Sequence, residues 1–92
     1  MKSRLHITIN GIVQGVFFRA TTCDLASELN LTGWVKNGED SGSVEILAEG
    51  EKEKLEKFLE WCAKGPKGAK VEQMQYDWYN FTGEFRNFII RH

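Results

Sequence analysis

No apolar run in this sequence approaches the length of a membrane span. Met1-Lys2-Ser3-Arg4 leads into strand-like alternation rather than the apolar stretch of a signal peptide, so a cytoplasmic protein is the expectation. An excess of one charge is missing as well: 12 Lys and Arg stand against 13 Asp and Glu. Nucleic acid and anionic membranes both reward a basic face, so neither is expected as a partner. Cys23 and Cys62 are the only cysteines, and without C-x-x-C spacing they form no metal or redox motif. A bond between them is conceivable if their helices are antiparallel neighbours, but cytoplasmic thiols stay reduced. His6 and His92 lack a cysteine or carboxylate cluster, which leaves no zinc site; each is read as a satisfied or solvated imidazole. No Ser–His–Asp spacing, internal repeat, linker or low-complexity segment is present. Ninety-two residues make a single domain, 1–92, small but able to bury a core, expected to be a monomer without metal or cofactor.

What is present is a succession of short periodic segments. Leu5, Ile7 and Ile9 alternate with His6, Thr8 and Asn10, so Lys2–Asn10 reads as a half-buried strand. Thr22, Leu25, Ala26 and Leu29 recur at helical spacing from Arg19 or Ala20 to Leu31, with Asn30 and Gly33 near the exit. Thr32–Asn37 is a second strand, and the turn-rich Gly38–Gly42 leads into a third, Ser43–Glu49. There Val44, Ile46 and Ala48 face one way, and Glu45, Leu47 and Glu49 the other. Glu51–Lys64 is the clearest helix: Leu55, Phe58, Leu59 and Cys62 share a face, and Glu53–Lys57 and Glu60–Lys64 are i,i+4 pairs on the others. Gly65-Pro66 stops it. Ala69–Tyr79 reads as a long strand whose poor alternation predicts a bulge or bend, and Phe85–Arg91 as a short closing one.

This order predicts an α+β fold of the ferredoxin-like βαββαβ type, an antiparallel-dominated sheet with two helices on one face and a short extra C-terminal strand. In that topology the first and second strands run the same way, so Arg19 and Asn37 meet at one sheet edge although eighteen positions apart.

The segment Gly11-Ile12-Val13-Gln14-Gly15-Val16-Phe17-Phe18-Arg19 joins the first strand to the first helix. A two-glycine loop at a helix start directs free N–H groups and the positive helix end at one point, which suits a phosphate. Arg19 adds a permanent planar cation. The same pattern also describes a plain turn, and residue types alone leave both readings open. The Gly-Lys-Ser/Thr of a nucleotide loop and the full G-x-G-x-x-G are absent, which points to a small phosphorylated group rather than a triphosphate.

Ile9-Asn10-Gly11-Ile12-Val13-Gln14-Gly15-Val16-Phe17-Phe18-Arg19 resembles the first signature of the acylphosphatases. Gly33-Trp34-Val35-Lys36-Asn37, followed by Gly42-Ser43-Val44 and Gly50, resembles their second. The run from Asn37 to Gly42 is one residue longer than the family's Asn-x-x-Asp-Gly, an extension expected at a hairpin tip and tolerated there. The resemblance implies hydrolysis of small acyl phosphates to carboxylate and inorganic phosphate, without metal or cofactor. It implies that Arg19 and Asn37 are catalytic and that Gln14, Gly15, Val16, Phe17, Phe18 and Arg19 hold the phosphoryl group, with Asn37 orienting the water. Trp34, beside Asn37 in sequence, is the one tryptophan expected to shape a substrate pocket. The alternatives are a non-enzymatic ferredoxin-like module binding RNA or another ligand, and the acylphosphatase-like segment at the front of larger hydrogenase-maturation proteins. Against the RNA reading, Ser43-Val44-Glu45-Ile46-Leu47 carries no basic-Gly-aromatic run.

Overall fold

Leu5, Ile7 and Ile9 are fully buried and lie opposite Ala48, Ile46 and Val44 of an antiparallel neighbour. This double row forms the floor of the core. In the computed structural model, which spans Met1–His92, the elements are β1 (Lys2–Ile12), α1 (Phe18–Glu28), β2 (Thr32–Asn37), β3 (Ser43–Glu51), α2 (Lys52–Lys64), β4 (Lys70–Tyr79) and β5 (Phe88–Ile90). The sheet order is β4-β1-β3-β2-β5. Every pairing is antiparallel except β2–β5, which is parallel. The fold is the ferredoxin-like βαββαβ arrangement with an added terminal strand. Both helices cover one face, where Phe18 stands 5.8 Å from Trp61 and Phe58 lies 6.1 Å from Phe88, centroid to centroid.

β1 runs two residues further than its alternation indicates. Past Asn10 its register on β4 shifts, so that Asn10 faces Gln73 and Gly11 faces Val71. Glu72 is the extra residue, and this is the bulge that the poor alternation of the fourth strand predicts. The strands approach so closely there that a Cβ on Gly11 would fall 2.0 Å from the Lys70 carbonyl oxygen. Only glycine fits.

α1 ends three residues before Leu31. Asn30 takes a left-handed conformation (φ 58°), its N–H bonds the Ser27 carbonyl at 3.1 Å, and the Leu31 N–H bonds that of Ala26 at 2.9 Å. This closure satisfies the last carbonyls and turns the chain straight into β2. α2 buries Leu55, Phe58 and Cys62, and the Gly65 N–H bonds the Trp61 carbonyl at 2.8 Å beyond its last turn.

The other face of β3 is not a solvated one. Glu49 is fully buried because the segment after β4 lies against it. Its carboxylate accepts from the Thr82 N–H (3.0 Å), the Thr82 hydroxyl (2.9 Å) and the Gly83 N–H (3.0 Å), with the Arg4 guanidinium 3.4 Å away. A buried carboxylate with that many donors is satisfied. Both cysteines are free thiols. Burial pushes the Cys62 thiol upward, and Cys23 is raised by burial and by neighbouring Asp24.

Candidate active site

The chain leaves β1 through Val13–Phe17 and enters α1 without a capping side chain. Gly15 has φ 73° and Phe17, the residue before the first helical turn, has φ 59°. Left-handed backbone at a bulky residue costs about 1–2 kcal/mol, and successive turns of this kind curl main-chain N–H groups around one point. No N–H from Gln14 through Ala20 donates to a protein acceptor. These open donors stand at the positive end of α1.

A cavity of about 300 Å³ lies there, at the C-terminal ends of β1 and β2. Val13, Gly15, Phe17, Phe18, Arg19, Ala20, Asn37, Ile90 and His92 line it. The topology thus brings Arg19 and Asn37 together, along with Gly15, Phe17 and Phe18. No Asp or Glu side chain lines it, and the Arg19 side chain takes part in no ion pair with another side chain. An unpaired guanidinium beside unpaired N–H groups is an anion site by its chemistry. Asn37 contributes a carboxamide oxygen that is buried and has no hydrogen-bond partner in the protein. A buried acceptor left open is costly unless a donor reaches it. Nowhere in the chain do three or more His, Cys, Asp or Glu side chains converge as metal ligands would.

The side chains of Gln14 and Val16 do not line the cavity. Val16 packs against the core. The Gln14 carboxamide donates at 2.8 Å to the Asp40 carbonyl and at 2.8 Å to that of Ser43, while the Gly11 N–H bonds the Gly42 carbonyl at 2.9 Å. The lengthened turn is therefore no free hairpin tip; Asp40, Gly42 and Ser43 tie it to the end of β1 and to the loop that borders the cavity. Inside it, Asp40 accepts from the Gly42 N–H at 3.0 Å.

One placement differs from the sequence reading and one goes beyond it. Trp34 does not reach the cavity: Val35 and Asn37 take one face of β2, and Trp34 takes the other, held between Lys36 at 5.3 Å and Arg91 at 4.9 Å from its ring. His92, read as a satisfied or solvated imidazole, is exposed and also lines the cavity, placing Nδ1 3.2 Å from Arg19 Nη1. Its route there is the parallel pairing of β5 on β2, extended by the Arg91 N–H to the Val35 carbonyl at 2.9 Å. The apolar run Phe88-Ile89-Ile90 marks a strand but not its partner.

A family model described as acylphosphatase matches residues 5–90. An acylphosphatase from Pelotomaculum thermopropionicum is 45% identical over 89 residues, covering 97% of this chain and 96% of that protein. The crystal structure of acylphosphatase from Bacillus subtilis superimposes with a TM-score of 0.92 at 36% identity over the whole of both chains. A full-length HypF in a phosphate- and nucleotide-bound form matches this whole chain with a TM-score of 0.88 at 30% identity, over 12% of its own length.

Proposed function

The chain belongs to the acylphosphatase family, enzymes that hydrolyse acyl phosphates, and from that premise we propose how its own residues divide the work. An acyl phosphate is a mixed anhydride with a good carboxylate leaving group, so its hydrolysis needs a held phosphoryl group and a placed water more than a strong base. The Gln14–Arg19 main-chain N–H groups and the Arg19 guanidinium hold the phosphoryl oxygens and stabilise the charge that grows on them. The Asn37 carboxamide accepts one hydrogen bond from the attacking water and orients it at phosphorus. The P–O bond to the acyl group breaks, the carboxylate leaves, and a phosphoryl oxygen takes the water's proton. Catalysis on this account is orientation plus electrostatics.

The observation that carries the reading is the open Asn37 oxygen in the same cavity as the unpaired Arg19. One core cluster drawn from both helices and all strands but β4, which packs against it, supports reading residues 1–92 as one domain. The test follows acetyl or benzoyl phosphate consumption, with inorganic phosphate as competitor, for the unaltered protein and for Arg19→Ala and Arg19→Lys. Arg19→Ala should lose both turnover and phosphate inhibition. Arg19→Lys should regain little, because an ammonium cannot supply two parallel donors. Undiminished phosphate inhibition in folded Arg19→Ala overturns the assignment.

A further inference from the structure

His92 stands outside the roles just assigned, yet it supplies the one protein hydrogen-bond partner that the Arg19 side chain has. We propose that His92 is a positioning residue: its neutral imidazole accepts from Arg19 Nη1 through Nδ1 and holds the guanidinium toward the phosphoryl site. This rests on the assignment of Arg19 to the phosphoryl group. Arginine carries several rotatable bonds, and holding it in one orientation costs conformational freedom. A single acceptor at the cavity wall takes up one of its five N–H donors and leaves the rest for the substrate. The acceptor has to be uncharged, since an imidazolium offers Arg19 only a second positive charge.

The surroundings leave this pair to itself. Arg19 is the only charged side chain facing His92 from α1, and β2 presents the neutral Asn37. Arg91, next in the chain, is stacked over Trp34 on the opposite face of the sheet.

His92→Leu removes the acceptor, and His92→Asn places an amide oxygen where Nδ1 stood without a titrating group. All variants keep the same main chain, so whatever the backbone at residue 92 contributes is common to them. At pH 7.5, His92→Leu should lower kcat/KM about two- to tenfold, the span of one hydrogen bond, and raise the phosphate inhibition constant by a similar factor. His92→Asn should recover most of that loss. A His92→Asn as impaired as His92→Leu, or a His92→Leu that changes only the melting temperature, would overturn the proposal. Arg19→Ala, measured alongside, separates the two assignments. If it abolishes phosphate inhibition while the His92 variants change nothing, only the role of His92 falls. If it leaves that inhibition intact, the phosphoryl assignment falls first.

Discussion

The carboxamide of Gln14 lies 2.8 Å from the main-chain oxygen of Ser43. Ser43 opens β3 and Asn37 closes β2, so the loop that borders the cavity and the hairpin that carries Asn37 share an anchor. Gln14 donates to Asp40 in the same hairpin as well. Its place in the motif is therefore explained by a side chain facing away from the cavity.

Gln14→Ala should cost about 1–2 kcal/mol in urea unfolding, the sum of two modest hydrogen bonds. It should lower kcat/KM by about tenfold, since the loop and Asn37 lose their common reference. Gln14→Glu keeps the shape but sets a carboxylate against two carbonyl oxygens, and should be worse in both measurements. Deleting Ser41 changes the spacing between the Asp40 and Gly42 carbonyls that engage Gln14 and Gly11. Its effect should resemble Gln14→Ala; a rate within a few fold of the unaltered protein would mean that the turn can re-seat.

Thr22 is fully buried, and its hydroxyl has no hydrogen-bond partner. Valine has nearly the same shape and no polar atom to leave unpaired. Thr22→Val should stabilise the fold by about 1 kcal/mol, which raises the midpoint of a thermal melt by roughly 4–8 °C for a protein of this size. No change, or a loss, would show that the hydroxyl is satisfied in solution.

On the sheet face away from the helices, His6 Nε2 lies 2.6 Å from the Glu45 carboxylate, and Lys36 stands 3.6 Å from its other oxygen. The hydrogen bond from His6, aided by the charge of Lys36, holds the Glu45 carboxyl below the usual value near 4.5. A lowered pKa contributes stability that is present above the unfolded value and disappears as pH falls through the folded one. The stability difference between the unaltered protein and Glu45→Gln should therefore be present at pH 7 and shrink below about pH 4.5. Urea midpoints across that range check it; a difference that is constant with pH would show that the two are separated by packing alone.

The sequence made the local parts of this molecule legible and left the long-range ones hidden. Thr32–Asn37 is legible as a strand around Trp34 and Val35, and the apolar stripe of Leu55, Phe58 and Cys62 reads as a helix without help. Arg19 and Asn37 meet because β1 and β2 run the same way, which follows from element order. Other features depend on partners far along the chain. Glu49 looks like a solvated strand residue until Thr82 and Gly83 fold against it, and Trp34 looks like a neighbour of Asn37 until strand pleating sends it to the other face. His92 enters the cavity only because a three-residue strand finds β2 in parallel, a pairing no short pattern encodes. The early stop of α1 lies in between: Asn30 is a recognisable stop residue, yet the apolar Leu31 extends the helical spacing past it.

The central claim is the division of labour between Arg19 and Asn37. The most direct measurement is kcat for an acyl phosphate beside the inhibition constant of inorganic phosphate, in Asn37→Ala protein shown by circular dichroism to be folded. Removing the carboxamide should lower kcat by about two orders of magnitude or more, while phosphate, still held by Arg19 and the open N–H groups, inhibits nearly as well as before. Folded Asn37→Ala that loses phosphate binding yet keeps its turnover at saturating substrate would contradict the account.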